Sequence, residues 1–195
     1  GLPERRTHDY VRHGTTTLEA KTGYGLDLET ECKQMEVLLR LDEEGPLQII
    51  PTYMGAHAVP PEFNGDTAGY VRFLTSQALP ELKSWWQGRA PERPLPFVDV
   101  FCEQGVFDLG QTREILTAAR DLGFPLKLHA DEFANLGGAS LAVELGAVSA
   151  DHLVKTSAED IRRLGSSQTA AVSLPGTPFG LAQKEYTPAR GIISA

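Results

Sequence analysis

The chain changes its hydrophobic period repeatedly, short β-type runs giving way to amphipathic helical ones, and this alternation limits the fold more than any other feature. Strand-like runs are Thr15–Ala20, Leu47–Tyr53, Phe97–Cys102, Pro125–His129, Ala147–Asp151 and Thr169–Leu174. Each is short, apolar or β-branched, and closed by a Gly, Pro or polar cluster. Helical runs lie between them at Leu28–Glu44, Thr67–Gln87, Gly110–Leu122, Leu136–Leu145 and Ser157–Leu164, and a polar helix-like stretch, Pro3–His13, precedes the first strand. Asp27, Asp66 and Ser157 stand where a short oxygen side chain can accept a bond from a first-turn amide. Gly45-Pro46 and Gly123 stand where helices should stop.

Strands alternating with helices imply parallel strands joined by right-handed crossovers, in a doubly wound sheet or in a barrel. The placing of the polar residues favours the barrel. Lys21 with Tyr24, then His57, Glu103, His129 with Glu132, and His152 fall at or just past the C-terminal ends of successive strands. That is the functional rim of a (β/α)8 barrel, whereas a doubly wound sheet would gather such residues at one switch point. The expected class is α/β, a partial TIM (β/α)8 barrel occupying residues 1–195 as one incomplete domain. A closed barrel needs eight strands and typically about 250 residues. Six strands in 195 residues leave it open, so sequence is expected to be missing at both ends.

Twenty-six acidic against 18 basic side chains, a formal charge of -8, argue against a phosphate-backbone partner. No run approaches the roughly 20 apolar residues that span a bilayer. The start, Gly-Leu-Pro-Glu-Arg-Arg, lacks the apolar core of a secretory signal. A cytoplasmic protein with no nucleic-acid or membrane partner is expected. Cys32 and Cys102 have neither the spacing nor the density of a disulfide framework or zinc knuckle, and read as buried or half-buried thiols.

The strongest chemical signal is Leu126-Lys127-Leu128-His129-Ala130-Asp131-Glu132, a strand that delivers an imidazole to its end and a carboxylate three residues later. A neutral imidazole suits Zn2+ or Fe2+, and a nearby glutamate can carry protons between water and a leaving nitrogen. The alternative is a satisfied core histidine beside a solvated helix-start acid. Ala150-Asp151-His152 ends the next strand, so His152 belongs beside His129, as ligand or as an orienting group, or else pairs with Asp151 at the surface. His57 lies in the stiff loop Gly55-Ala56-His57-Ala58-Val59-Pro60-Pro61, either held in a pocket or exposed on a turn. In Thr22-Gly23-Tyr24-Gly25-Leu26 the glycines could project Tyr24 over a ligand or make a plain turn; the third glycine and Lys-Ser/Thr of a phosphate loop are lacking. Lys21 is a carboxylated bridging lysine or, preferably, a cation that holds an acidic group near the rim. Asp99 and Glu103 read as braces, and His8 and His13 as surface residues.

Taken together these motifs resemble the imidazolonepropionase family of the amidohydrolase superfamily. The run Glu19-Ala20-Lys21-Thr22-Gly23-Tyr24-Gly25-Leu26-Asp27-Leu28-Glu29-Thr30-Glu31 resembles that family's segment after its second barrel strand, and the His57 loop its segment after strand three. Asp99–Glu103, Leu128–Glu132, Leu136–Ala139, Ser149–Leu153 and Leu174-Pro175-Gly176 continue the series in order, from about Gly14 to the end. The resemblance implies strands 2 to 7 of a metal-dependent barrel, without strands 1 and 8 or the family's β-sandwich. It implies one divalent metal, Zn2+ or Fe2+, with His129 as the strand-five ligand. Glu132 would hold the substrate ring nitrogen and move protons, His152 would polarise or position the nucleophile, and Tyr24 and His57 would bind substrate. The reaction implied is hydrolysis of 4-imidazolone-5-propanoate to N-formimidoyl-L-glutamate in histidine degradation.

The family's other metal ligands, a His-x-His after strand one and an Asp after strand eight, lie outside these residues, as does an Arg that binds substrate. The 195 residues alone are therefore expected to be inactive, with open strand edges. A homo-oligomer is expected. The competing readings are a catalytically inactive, self-associating structural fragment, and a cytosine- or guanine-deaminase-like single-metal amidohydrolase, since His-x-x-Glu followed by a strand-six His is shared by such enzymes.

Overall fold

Six parallel strands pair strictly in chain order in the computed structural model, which describes residues 2–195, with side chains from Glu4 onward. Helix α1 (Leu2–Arg12) precedes β1 (Thr17–Lys21), and α2 (Leu28–Glu44) connects it to β2 (Gln48–Ala56). After a short 3-10 turn, α3 (Thr67–Phe73), a π turn at Leu74–Ala78 and α4 (Leu79–Arg89) lead to β3 (Phe97–Cys102). Then come α5 (Leu109–Asp121), β4 (Leu126–Ala130), α6 (Gly138–Leu145), β5 (Ser149–His152), α7 (Ala158–Gly165) and β6 (Ala170–Val172). Two short helices, α8 (Gly176–Gly180) and α9 (Ala189–Ile193), come last. The order has no reversal point, which rules out the doubly wound alternative.

Side-chain contacts across the sheet show that it curls. Lys21 on β1 reaches Asp151 on β5 at 3.0 Å, and Lys127 on β4 reaches Glu19 on β1 at 3.0 Å. On a flat sheet β1 and β5 would be about 19 Å apart and β1 and β4 about 14 Å, far beyond the reach of a lysine. The strands therefore wrap around a common interior, as an open half-barrel. Among the described residues β1 pairs only with β2, and β6 only with β5.

The two faces of the curl differ in chemistry. Val98, Val100, Cys102, Leu126, Leu128, Ala130 and Ala150 point outward and are buried under the helices with Leu116, Phe107, Leu82 and Trp86. Glu19, Lys21, Asp99, Lys127, His129 and Asp151 occupy the concave face. Bulky branched residues usually fill a barrel interior. Here charged side chains line much of it, with Phe97 and Phe101 beside them.

Local signals account for most element ends. Asp27 accepts from the Thr30 amide at 2.8 Å, Asp66 from Gly69 at 2.8 Å and Ser157 from Asp160 at 3.2 Å. Asp108 and Gln111 form a capping box that the sequence reading passed over. Thr67–Gln87, expected as one helix, carries the π turn because Pro80 has no N–H to give the Ser76 carbonyl; the Leu79 amide bonds Leu74 instead, and the widened turn makes room for the ring. The helix expected from Leu136 begins at Gly138, because the Asp131 carboxylate takes the Leu136, Gly138 and Ala139 amides at 3.2, 3.1 and 3.4 Å. Strand β2 extends three residues past Tyr53 and carries His57 to the rim. Both cysteines are protonated thiols, burial pushing each up to about 11.

Asp160 gives a stability prediction. Its carboxylate binds Ser140, Ser157 and Asn135 and joins α6 to α7. Burial raises its pKa, but these hydrogen bonds outweigh burial and lower it. A lowered folded-state pKa stabilises above the unfolded carboxylate value, and the gain is lost as pH falls through the folded value. Asp160→Ala should cost about 1–2 kcal/mol at neutral pH in urea denaturation, and the difference should vanish in acid.

Candidate active site

The concave face meets the barrel rim where β3, β4 and β5 end. Lys21 Nζ lies 2.6 Å from Asp99 Oδ2 and 3.0 Å from Asp151 Oδ2, and Ser149 donates to the other Asp151 oxygen at 2.6 Å. Burial opposes the lysine charge, but Asp99, Asp151 and Glu19 outweigh it and hold the ammonium above the usual lysine range. Burial likewise opposes the Asp99 charge, and His129 with Lys21 overcomes it, holding that carboxyl well below its ordinary value.

Asp99 also faces His129. It accepts the His129 backbone amide at 3.1 Å, and its Oδ2 lies 3.0 Å from the ring Nδ1. That contact is an ion-pair approach and not a hydrogen bond, so His129 Nδ1 is buried without a hydrogen-bonding partner, and so is His152 Nδ1. The two rings are 4.9 Å apart, on adjacent strands where Ala130 pairs with His152. Buried imidazole nitrogens without hydrogen-bonding partners, beside carboxylates, fit a borderline divalent ion such as Zn2+ or Fe2+. Asp99, His129 and Asp151 also bring donor atoms within 4.8 Å of one another, but the Lys21 ammonium takes up the two carboxylates at 2.6 and 3.0 Å.

Glu132 Oε1 lies 3.5 Å from His152 Nδ1, and both residues are nearly buried. Burial raises the Glu132 pKa; His129 works against this and Glu103 adds to it. His152 is lowered to about 4, by burial first and the neighbouring His129 second, so it is neutral at physiological pH. Backbone geometry sets these positions. Asp131, His152 and Leu153 have φ of 54, 75 and 58°, sharp left-handed steps that turn the chain at the strand ends. Glu103 accepts the Phe133 amide at 2.9 Å and so braces the segment carrying Glu132.

Tyr24 and His57 form a second group along the rim. Their rings meet edge to face at 5.0 Å, and Tyr24 is 82% exposed, free to cover a ligand. His57 Nδ1 is 2.8 Å from the Gly23 carbonyl. A carbonyl only accepts, so Nδ1 donates this bond, and in the neutral ring Nε2 is then the acceptor. Phe101 joins the two groups, 6.0 Å from His57 and 6.1 Å from His129. Underneath, the fully buried Glu31 carboxylate takes the Gly23, Gly25 and Leu26 amides at 2.9, 2.7 and 3.0 Å and fixes the loop. At Gly23, φ is +107° and a Cβ would lie 2.7 Å from the Met54 carbonyl oxygen. Gly23→Ala should therefore cost about 2 kcal/mol in thermal or urea unfolding and displace Tyr24. Wild-type stability in that variant would contradict the loop geometry.

His129, Glu132 and His152 thus come together, and Tyr24 and His57 stand beside them across Phe101. The bland alternatives for Glu132 and His152 do not hold: Glu132 is not solvated, and Asp151 turns inward to Lys21 instead of pairing with His152 at the surface. Lys21 is a cation between acidic groups. His8 and His13 are exposed. Sequence reasoning missed Asp151 and Phe101 as site residues and the bracing role of Glu31. The signal for the first two was the period of two: Asp99-x-Phe101, Lys127-x-His129 and Ser149-x-Asp151 all share the inward face.

No family model matches the chain. Among curated proteins it is 47% identical over 190 residues to an imidazolonepropionase of Herpetosiphon aurantiacus, covering 97% of this chain and 44% of that protein. It is 48% identical over 181 residues to one of Treponema denticola, covering 93% and 42%. An imidazolonepropionase of Streptococcus gordonii is 42% identical, with 96% and 58% covered. The chain therefore spans less than half the length of the first two relatives. A crystal structure of adenine deaminase from Arthrobacter aurescens superposes with a TM-score of 0.64 at 14% identity, covering 98% of this chain and 57% of that one, which supports the barrel fold.

Proposed function

We propose, on the premise that this chain is imidazolonepropionase sequence over the matched span, that it supplies part of the active site for hydrolysis of 4-imidazolone-5-propanoate to N-formimidoyl-L-glutamate. The observation that carries the reading is the buried cluster at the ends of β4 and β5, with His129 and His152 at 4.9 Å and His152 and Glu132 at 3.5 Å. His129 would hold a divalent metal, Zn2+ or Fe2+, together with ligands from outside the chain. Such a metal activates water near neutral pH and polarises a carbonyl.

The chain's own residues do the rest. Water adds to the ring carbonyl, and the C–N bond then breaks. Glu132, whose raised pKa suits proton traffic in both directions, takes the proton from the attacking water and returns it to the leaving ring nitrogen. His152 stays neutral and orients the attacking oxygen. Tyr24 and His57 hold the substrate, the exposed phenol covering it and His57 Nε2 accepting a hydrogen bond. Asp99 and Glu103 keep His129 and Glu132 in place. Taken alone, the 195 residues would not turn over substrate, because one imidazole does not retain a catalytic metal.

Grafting this chain into the Herpetosiphon aurantiacus enzyme, in place of the matching 190-residue span, tests the proposal. Turnover of imidazolonepropionate by the metal-loaded graft is the expected result. A folded, metal-loaded graft that is inert on this substrate but deaminates adenine, guanine or cytosine would overturn it.

A further inference from the structure

The inside of the barrel, beneath the rim, holds a cation of the chain's own. Lys21 Nζ sits between Asp99 Oδ2 at 2.6 Å and Asp151 Oδ2 at 3.0 Å, with Glu19 Oε1 also at 3.0 Å. The two aspartate side chains are 0% and 2% exposed, so water does not neutralise them. The third donor of the cluster is His129, whose Nδ1 is 3.0 Å from Asp99 and makes no hydrogen bond. Two carboxylates and an imidazole within 4.8 Å of one another are a sufficient ligand set for a divalent transition ion, needing only small side-chain movements to reach bond lengths of about 2.0–2.2 Å.

We propose that Asp99, His129 and Asp151 bound a second, inner cation position in this barrel, which the chain itself fills with the Lys21 ammonium. The tethered ammonium supplies the nearest counter-charge to these carboxylates, with the Lys127 ammonium farther off, 4.0 Å from Asp151 and 3.0 Å from Glu19, and its occupancy denies the position to a free metal. The inner position stands on the geometry of this chain alone and does not depend on the turnover proposed above.

Cobalt(II) binding to the 195-residue chain tests this without any assay of activity. Lys21→Met should bind one Co2+ per chain about 100-fold more tightly than the unaltered protein, with visible absorption bands of a low-symmetry site. Lys21→Arg, which keeps a cation there, should show no gain, and adding Asp151→Asn to Lys21→Met should abolish it. Where Lys21→Met unfolds by itself, Co2+ should refold it, because the ion replaces the missing charge. Equal affinity in the Met variant and the unaltered chain would overturn the proposal. So would a gain that survives Asp151→Asn or appears equally in Lys21→Arg, or an unfolded Met variant that Co2+ does not restore.

Discussion

Glu132→Gln in the grafted enzyme should lower kcat for imidazolonepropionate by about 10²–10⁴-fold while leaving the bound metal in place. Glutamine keeps the shape and one acceptor oxygen but cannot shuttle a proton. Glu132 lies 3.5 Å from His152 and is braced through the Phe133 amide by Glu103, so the amide should occupy the same place. Metal content by elemental analysis, measured on the same sample, separates loss of proton transfer from loss of the metal. Less than a tenfold fall in kcat with full metal would remove Glu132 from the chemistry.

The second large effect concerns stability. Lys21→Met removes the ammonium closest to Asp99 and Asp151, leaving these buried carboxylates only the His129 amide, the Ser149 hydroxyl and, at 4.0 Å from Asp151, Lys127, and removing one partner of a buried ion pair is costly. The expected loss is about 3 kcal/mol in urea unfolding at neutral pH without metal, with Lys21→Arg losing less. A loss below about 0.5 kcal/mol would put the network in the class of surface ion pairs. The interior of this half-barrel would then owe its shape to something other than charge pairing.

The parts of the fold visible in the sequence were those governed by local rules. Alternation of period gave the six strands, and Asp27, Asp66 and Ser157 marked helix starts that the structure confirms by hydrogen bonds. The choice of a barrel rested on where His57, His129, Glu132 and His152 fell, and sequential strand order with contacts from β1 to β5 supports it. What depended on tertiary approach was hidden. Asp131 starting α6 from a distance and Pro80 widening a turn both override the local pattern. Within the site, His129 and Glu132 were readable because one strand end carries both. Asp151 was not, since its partner Lys21 lies 130 residues away. Only the inward period of two, shared by several strands, hinted at a charged interior.

That His129 carries the catalytic metal is the central claim, and anomalous X-ray diffraction at the zinc edge from crystals of the zinc-loaded graft tests it most directly. A single strong peak about 2.0–2.1 Å from a ring nitrogen of His129, with Glu132 and His152 facing it, is the predicted result. A peak bound elsewhere, with neither nitrogen of His129 in its coordination sphere in an enzyme that still turns over substrate, would contradict it.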